Sequence, residues 1–190
     1  MEKTVYKKIK EARGLLPGDT VNDFSATDLH ENVFTLSEAL EKGPVVLIFY
    51  RGQWCPFCNK HLKKLEQNLD KIYEKGASVV AISPEKSEFL KRTADKTKAS
   101  FSLLFDEDYK IADAFEVAFR PTKFERAIYN NILKADLKNA HSDESQQLPI
   151  PATFIIGKDR KIIWRHFDPD YKKRSTIEDI LENLSSKKSK

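Results

Sequence analysis

One junction near residue 50 constrains the fold more than any other feature of the sequence. Residues 45–50 read Val-Val-Leu-Ile-Phe-Tyr, a run with the length and β-branched content of a strand buried on both faces. After Gly52 the pattern becomes helical, with leucine or isoleucine at positions 62, 65, 69 and 72 and Gly76 placed to end the helix. The sequence therefore predicts a buried strand that passes directly into a helix.

The chain has two cysteines, Cys55 and Cys58, and both lie at this junction. Cys55 stands just before the first helical turn, and Pro56 fits the first helical position, where its missing N–H costs no helical bond. The free N–H groups and positive dipole end of a helix favour a thiolate, so such a site typically lowers a cysteine pKa from about 8.5 to roughly 3.5–7.5. Cys58 follows about one turn later, within reach of a disulfide. The spacing is typical of thioredoxin-like redox chemistry.

The neighbours of the pair suit a redox site. Arg51 and Lys60 would add positive charge, and Trp54 and Phe57 would form an apolar collar for a substrate or partner. Two alternatives remain, structural thiols and half of a zinc site. A zinc site needs about four ligands, and the four histidines, at positions 30, 61, 141 and 166, show no matching spacing. We therefore favour redox thiols, then structural thiols, and expect no metal or cofactor.

Composition limits the remaining function classes. The chain has 190 residues, 40% of them hydrophobic, which suits one domain with a sizeable core. Its net charge is +4, and three lysines lie in its last four residues, so no nucleic-acid partner is expected. The sequence contains no apolar run of about 18 residues, so no membrane span is predicted. Residues 1–10 lack a secretory signal pattern. We expect a cytoplasmic protein, where a cysteine pair is more often catalytic than structural.

The rest of the chain alternates predicted strands and helices. Strands are predicted at 77–83 and 101–105, with a helix from Ser83-Pro84 to about Lys96 between them and a short helix capped by Asp106 after them. This order favours an α/β sheet with parallel strands. Later residues predict a hairpin of two strands, at about 152–156 and 161–167. A closing helix then begins at Ser175 and Glu178, which have capping-box spacing.

Three further segments complete the predicted organisation. Residues 1–14 predict an N-terminal helical extension that Gly14 ends, and 15–184 a single domain. Within that domain, 119–148 is an insertion with one helix from about Thr122 to Asn139 and a mobile polar loop at 141–147. The helix covers the sheet, fills an interface or, as the less favoured alternative, forms a substrate lid. Residues 185–190 predict a disordered basic tail.

Residues 15–184 resemble the peroxiredoxin-like branch of the alkyl hydroperoxide reductase/thiol-specific antioxidant (AhpC/TSA) family. The matching pieces are Pro17-Gly18 with Asp23-Phe24, Val46–Cys58, Val80–Ser83, Leu104–Asp108 and Pro151–Ile156. The resemblance implies a thioredoxin-like α/β fold, with a central mixed β-sheet flanked by helices on both faces. It implies that Cys55 is the attacking cysteine. Pro151 would match the cis-proline that faces the dithiol of thioredoxins, shapes the docking surface and keeps metals off the sulfurs.

The chain departs from the family pattern at three positions. Gly52 stands where peroxiredoxins have a peroxide-binding threonine, and Pro151 where they have an arginine. Phe49 stands where thioredoxins have a buried aspartate, so a proton acceptor for Cys58 must come from elsewhere. Glu85 is a candidate, although a solvated residue in a first helical turn is the more ordinary interpretation. Arg51 is the candidate to replace the missing arginine.

Three hypotheses follow. The favoured one is a thiol-disulfide oxidoreductase, in which Cys55 attacks a disulfide and Cys58 resolves the mixed disulfide. The second is a thiol peroxidase, in which Cys55 becomes a sulfenic acid and Cys58 condenses with it. The third is a redox-inactive binding domain. Either enzyme needs an external thiol reductant, such as a thioredoxin or glutathione system, and the chain is a possible homodimer.

Overall fold

The predicted strand at the junction, Val45–Phe49, lies buried at the centre of a five-stranded sheet. The structure is a computed structural model that describes residues 5–185. In chain order the strands are β1 (Ser25–Thr27), β2 (Val33–Thr35), β3 (Val45–Phe49), β4 (Ser78–Ser83), β5 (Ser102–Phe105), β6 (Ala118–Phe119), β7 (Leu148–Pro149), β8 (Ala152–Ile156) and β9 (Ile162–Phe167). The α-helices are α1 (Leu36–Lys42), α2 (Pro56–Glu66), α3 (Leu69–Tyr73), α4 (Ser87–Thr97), α5 (Lys110–Ala114), α6 (Lys123–Asn131), α7 (Leu137–Ala140) and α8 (Ile177–Ser185).

The sheet is mixed, in the order β5-β4-β3-β8-β9. β3 pairs parallel with β4, which pairs parallel with β5, and these connections run through helices as the alternating pattern predicts. On its other side β3 pairs antiparallel with β8, and β8 forms the predicted hairpin with β9. α2 packs against α4, and α8 packs against β8 and α3. The predicted α/β architecture with a central mixed sheet is confirmed.

The N-terminal extension differs from its prediction. Over residues 5–14 the only helical structure is one 3-10 turn, Ile9–Glu11, and residues 1–4 lie outside the described part of the chain. The backbone here bonds to distant segments: Gly14 N–H donates to Glu116 O at 3.1 Å, and Arg120 N–H donates to Lys7 O at 2.8 Å. Because these backbone groups bond across the fold, residues 5–14 form no α-helix.

The insertion also differs from the single helix that its periodicity predicts. α6 begins at the predicted place, with Thr122 and Glu125 forming a reciprocal cap, but it ends at Asn131. Lys134 and Asp136 then adopt positive φ (53° and 50°), which breaks the helix before the short α7.

The polar loop of the insertion, predicted to be mobile, is packed. His141 is buried, and its Nδ1 lies 3.0 Å from the hydroxyl of Tyr109, which also donates to Asp143 at 3.0 Å. Asn130 Nδ2 donates to the buried Gln146 at 2.8 Å, which ties the loop to α6. These bonds pair buried polar groups and hold the loop against the rest of the fold.

The end of the chain follows its prediction with a shift of one residue. α8 is capped by Thr176 and Asp179, each backbone N–H bonding the other side chain at 3.0–3.1 Å, whereas the predicted cap Ser175 is buried. Of the predicted tail, Ser185 is the last residue of α8, and the remainder lies outside the described residues. Between residues 5 and 185, no helix is long and apolar enough to cross a membrane.

Candidate active site

Cys55 is the N-cap residue of α2. Its backbone is extended (φ −86°, ψ 107°), Pro56 occupies the first helical turn, and the N–H of Cys58 donates to Cys55 Sγ at 3.4 Å. The sulfur therefore takes the position in which a cap side chain satisfies a free helical N–H group. Both cysteines are free thiols. The helix start that the sequence predicts from Pro56 is confirmed.

The two sulfurs have opposite ionisation properties. Burial alone would raise the pKa of Cys55, but the hydrogen bond from Cys58 and the charge of Arg51 outweigh it and lower the pKa to about 5. Burial raises the pKa of Cys58 well above its ordinary value, and its hydrogen bond to Cys55 and the charge there add to the effect. At neutral pH the pair is thus a Cys55 thiolate beside a Cys58 thiol, the state required of a nucleophile and its resolving partner.

Arg51 supplies the positive charge. It is 3% exposed, its Nη2 donates to Cys55 Sγ at 3.5 Å, and its Nη1 donates to the hydroxyl of Tyr129 at 3.3 Å. The guanidinium lies 4.0 Å from the ring centroid of Tyr171 and 5.0 Å from that of Trp54. Burial opposes its charge, but the two cysteines outweigh burial and raise the pKa of Arg51. A permanently charged guanidinium is therefore held between aromatic rings and the reactive sulfur.

A second arginine contacts the other sulfur. Arg174 Nη2 donates to Cys58 Sγ at 3.4 Å from the segment that joins β9 to α8. The same segment carries Tyr171, whose ring packs edge-on against Phe57 at 5.6 Å. Together with α6, which brings Tyr129 to within 5.0 Å of the Trp54 ring, this segment closes the site: Cys55 and Cys58 are 0% and 1% exposed. The sequence carries no signal for this convergence, because more than 70 residues separate each covering residue from the cysteines.

Glu85 lies against the segment that leads from β3 to the cysteine pair. It is 0% exposed, so the interpretation of a solvated residue is wrong. Its Oε2 accepts from the N–H of Gln53 at 2.8 Å, and burial raises its pKa to about 8. Within residues 5–185 it accepts no hydrogen bond from Cys58, so the structure gives it no direct contact as a proton acceptor for that thiol.

A side chain added at Gly52 would collide with two neighbouring side chains. Its φ is +151°, and a Cβ built there would lie 2.4 Å from Glu85 Oε1 and 2.6 Å from Trp54 Nε1. Real Cβ contacts are essentially never this short. The place that the resemblance assigns to a threonine is thus occupied by the Glu85 carboxyl and the Trp54 indole.

Pro151 lies at the right end of the sheet but not in the implied conformation. Ile48 faces Thr153 across β3 and β8, so the chain before β8 lies at the edge from which residues 50–55 leave β3. Within residues 5–185 all peptide bonds are trans, so the cis-proline that the resemblance implies is not found. The N–H of Ile150 donates to Val117 O at 2.8 Å and continues the β6–β7 pairing up to the residue before Pro151.

A dithiol at the start of the helix that follows the central strand of a mixed α/β sheet defines a thioredoxin-fold protein of the redox-thiol class. Residues 17–165 match the AhpC/TSA family, and the chain belongs to it. Peroxiredoxin Bcp of Escherichia coli K12 is 32% identical over 103 residues, which cover 54% of this chain and 65%, just under two thirds, of that relative. Thiol-disulfide oxidoreductase ResA of Bacillus cereus is 27% identical over 108 residues, 56% of this chain and 61% of ResA.

A solved structure extends the similarity over nearly the whole chain. Peroxidoxin BcpB from Mycobacterium tuberculosis superposes with a TM-score of 0.70 at 26% identity and covers 91% of this chain and 98% of its own. The thioredoxin-like fold that the resemblance implies is thereby confirmed.

Proposed function

We propose that this chain is a thiol peroxidase that reduces hydrogen peroxide or small alkyl hydroperoxides, with Cys55 as nucleophile and Cys58 as resolving thiol. The observation that carries the proposal is the hydrogen bond from buried Arg51 to Cys55 Sγ at 3.5 Å. A peroxide oxygen that approaches the sulfur would come close to the same guanidinium. A preorganised donor at the place where negative charge develops is an effective way to lower a barrier.

Access to the sulfurs also favours a small substrate. Cys55 and Cys58 are 0% and 1% exposed beneath Arg51, Tyr171 and Arg174. A peroxide needs a far smaller opening than a protein disulfide, whose two sulfurs and flanking backbone must reach the nucleophile in line. The peroxiredoxin name of the Escherichia coli relative supports the same assignment.

The cycle balances with the groups in place. The Cys55 thiolate attacks the terminal peroxide oxygen, the O–O bond breaks, and the alkoxide or hydroxide leaves and takes a proton from solvent. Cys55 is then a sulfenic acid. The Cys58 sulfur attacks Cys55 Sγ, loses its proton, and displaces hydroxide, which leaves as water. The product is a Cys55–Cys58 disulfide, which two electrons from an external thiol reductant return to the dithiol.

A second candidate is the thiol-disulfide oxidoreductase that the sequence favours. Its support is the pairing of a Cys55 of low pKa with a Cys58 of high pKa in a Cys-x-x-Cys, together with the similarity to ResA. Phe57, 38% exposed beside the pair, is an apolar surface for a partner. For this activity the segment that carries Tyr171 and Arg174 must move. A homodimer and a cytoplasmic location stay predictions.

The test is a stopped-flow measurement on fully reduced protein and its Cys55→Ser variant, with hydrogen peroxide and with a protein disulfide, followed by tryptophan fluorescence. We expect a peroxide rate far above that of a free thiol of similar pKa, abolished by Cys55→Ser, and an intramolecular disulfide as product. A peroxide rate equal to that of a free thiol, with rapid reaction toward the protein disulfide, would select the second candidate. Slow reaction with both substrates would favour the third hypothesis, a redox-inactive binding domain.

A further inference from the structure

A cationic groove lies beside the dithiol. It has a volume of about 560 Å³ and runs between α2 and the segment that enters α8. Lys60 and Lys64, one turn apart on α2, line one side, and Lys172 and Arg174 line the other. Among the described residues that line it, the one carboxylate is that of Glu178, at the first turn of α8. The volume is that of a site for a small molecule.

The lysines of the groove are uncompensated. Within residues 5–185, neither Lys60, Lys64 nor Lys172 forms an ion pair, whereas the adjacent Lys173 pairs with Asp168 at 3.0 Å. Three exposed ammonium groups and a guanidinium that face one cleft repel each other and concentrate a positive potential there. An anion in the groove would relieve this repulsion.

The floor of the groove is polar and fixed. His61 is 6% exposed, and its Nε2 lies 3.2 Å from the hydroxyl of Ser175, which in turn lies 2.9 Å from that of Thr153 on β8. Burial and the charge of Arg174 lower the pKa of His61 to about 3, so the ring is neutral. The floor therefore adds hydrogen-bonding groups without a charge that would compete with the lysines for an anion.

Arg174 connects the groove to the dithiol. It lines the groove and donates to Cys58 Sγ at 3.4 Å, and Phe57, the residue that precedes Cys58, lines it too. Of the two sulfurs, Cys58 is thus the one joined to the groove by a direct contact.

We propose that this groove binds a small thiol that carries carboxylates, a peptide-sized anionic reductant, and directs its sulfur to Cys58. The inference rests on the proposed function, since it names the molecule that restores the dithiol. A small thiol fits better than an acidic protein for two reasons. The groove has the volume of a small-molecule site, and the sulfurs beside it are at most 1% exposed.

The reduction has two steps. The bound thiol loses its proton and its sulfur attacks Cys58 Sγ. The Cys55–Cys58 bond then breaks, and Cys55 leaves as the thiolate, the better leaving group because its pKa is about 5. A second thiolate attacks the external sulfur of the mixed disulfide and releases Cys58, which takes up a proton. Two external thiols have then given two electrons and become a disulfide. Of their two protons, one resides on Cys58 and one in solvent.

The test uses the oxidised full chain and two probes, glutathione, which carries two carboxylates, and uncharged 2-mercaptoethanol. The quantity is the ratio of their second-order rate constants for reduction of the Cys55–Cys58 disulfide. In the Lys60→Gln/Lys64→Gln variant we expect this ratio to fall about fivefold to tenfold. In the charge-matched control Lys63→Gln/Lys91→Gln, on exposed lysines outside the groove, we expect a change below about twofold.

Tandem mass spectrometry of the trapped glutathione adduct supplies a second reading, with the adduct expected on Cys58. A ratio that is unchanged, or that falls equally in the control, would overturn the proposal, and so would an adduct on Cys55. Loss of rate toward an acidic protein reductant with the glutathione ratio unchanged would assign the groove to a protein instead. None of these readings depends on peroxide, so they stand apart from the test of the proposed function.

Discussion

The guanidinium of Arg51 lies 4.0 Å from the ring centroid of Tyr171, so a residue that follows the last strand covers the group that contacts the thiolate of Cys55. Arg51 lies just after the end of β3, whereas Tyr171 lies 120 residues later in the chain. The residue that supplies the positive charge and a residue that covers the site are therefore in direct cation–π contact.

Replacing Arg51 with Gln is expected to raise the pKa of Cys55 by about 1–3 units, because the thiolate loses its charged hydrogen-bond donor. The pH dependence of alkylation by iodoacetamide measures the shift. Arg92→Gln, which removes an exposed arginine on α4, is the control and should leave the pKa in place. An unchanged pKa in Arg51→Gln would show that the helix N-terminus alone holds the thiolate.

Replacing Tyr171 with Ala is expected to open the site. The variant loses the contacts of the ring with Arg51 and Phe57, and alkylation of Cys55 at fixed pH should become severalfold faster. Tyr73→Ala, at a tyrosine 46% exposed on α3, is the matched control. An alkylation rate equal to that of the control would show that another residue limits access.

Glu85 is expected to make stability pH-dependent. Its pKa in the folded chain is about 8, above the value of about 4.3 for an unfolded chain. Below about pH 4 the carboxyl is neutral in both the folded and the unfolded chain. As the pH rises from there to about 8, the unfolded chain releases this proton while the folded chain retains it, so the protein loses stability. At pH 8.5 Glu85→Gln should be more stable than the parent. The free energy of unfolding of the variant minus that of the parent should be about 2–4 kcal/mol larger at pH 8.5 than at pH 4.

Urea unfolding of the reduced protein at the two pH values measures this difference. The control is Glu88→Gln, at an exposed glutamate on α4, which should show a difference near zero. A free-energy difference for Glu85→Gln that does not change with pH would place the carboxyl in a hydrated environment.

Replacing Gly52 with Ala is expected to destabilise the chain because the added methyl meets Glu85 Oε1 and Trp54 Nε1. The matched control is Gly18→Ala, which also has positive φ (+96°) but nothing within 4 Å of the new Cβ. Because both positions have positive φ, the extra cost of the Gly52 variant over the Gly18 variant reports mainly the collision and should be about 1–3 kcal/mol. Thermal unfolding measures it, and equal costs would mean that the Glu85 side chain moves aside freely.

The sequence determined the parts of this protein that depend on local pattern. The apolar run at 45–50 predicts a buried strand, which the structure shows as β3, and the helical pattern that follows predicts a helix that begins at the cysteine pair, which the structure shows as α2. The same local logic placed the late hairpin and the alternating helices. The prediction was wrong where the hydrophobic periodicity continues past the end of a helix. The helix predicted from Thr122 ends at Asn131, and the positive φ of Lys134 and Asp136 that follows is not visible in hydrophobic spacing.

Only the tertiary structure decided what surrounds the sulfurs. Arg51 was a candidate from sequence, but its hydrogen bond to Cys55 was not visible there. Nor was its packing against the rings of Trp54, Tyr129 and Tyr171, which the fold gathers from three segments. Glu85 changed from an ordinary helical residue to a buried acid for the same reason. Charges and burial act through space, whereas sequence patterns report distance along the chain. The position of the cysteine pair at a helix N-terminus was therefore predictable, and the environment of its sulfurs was not.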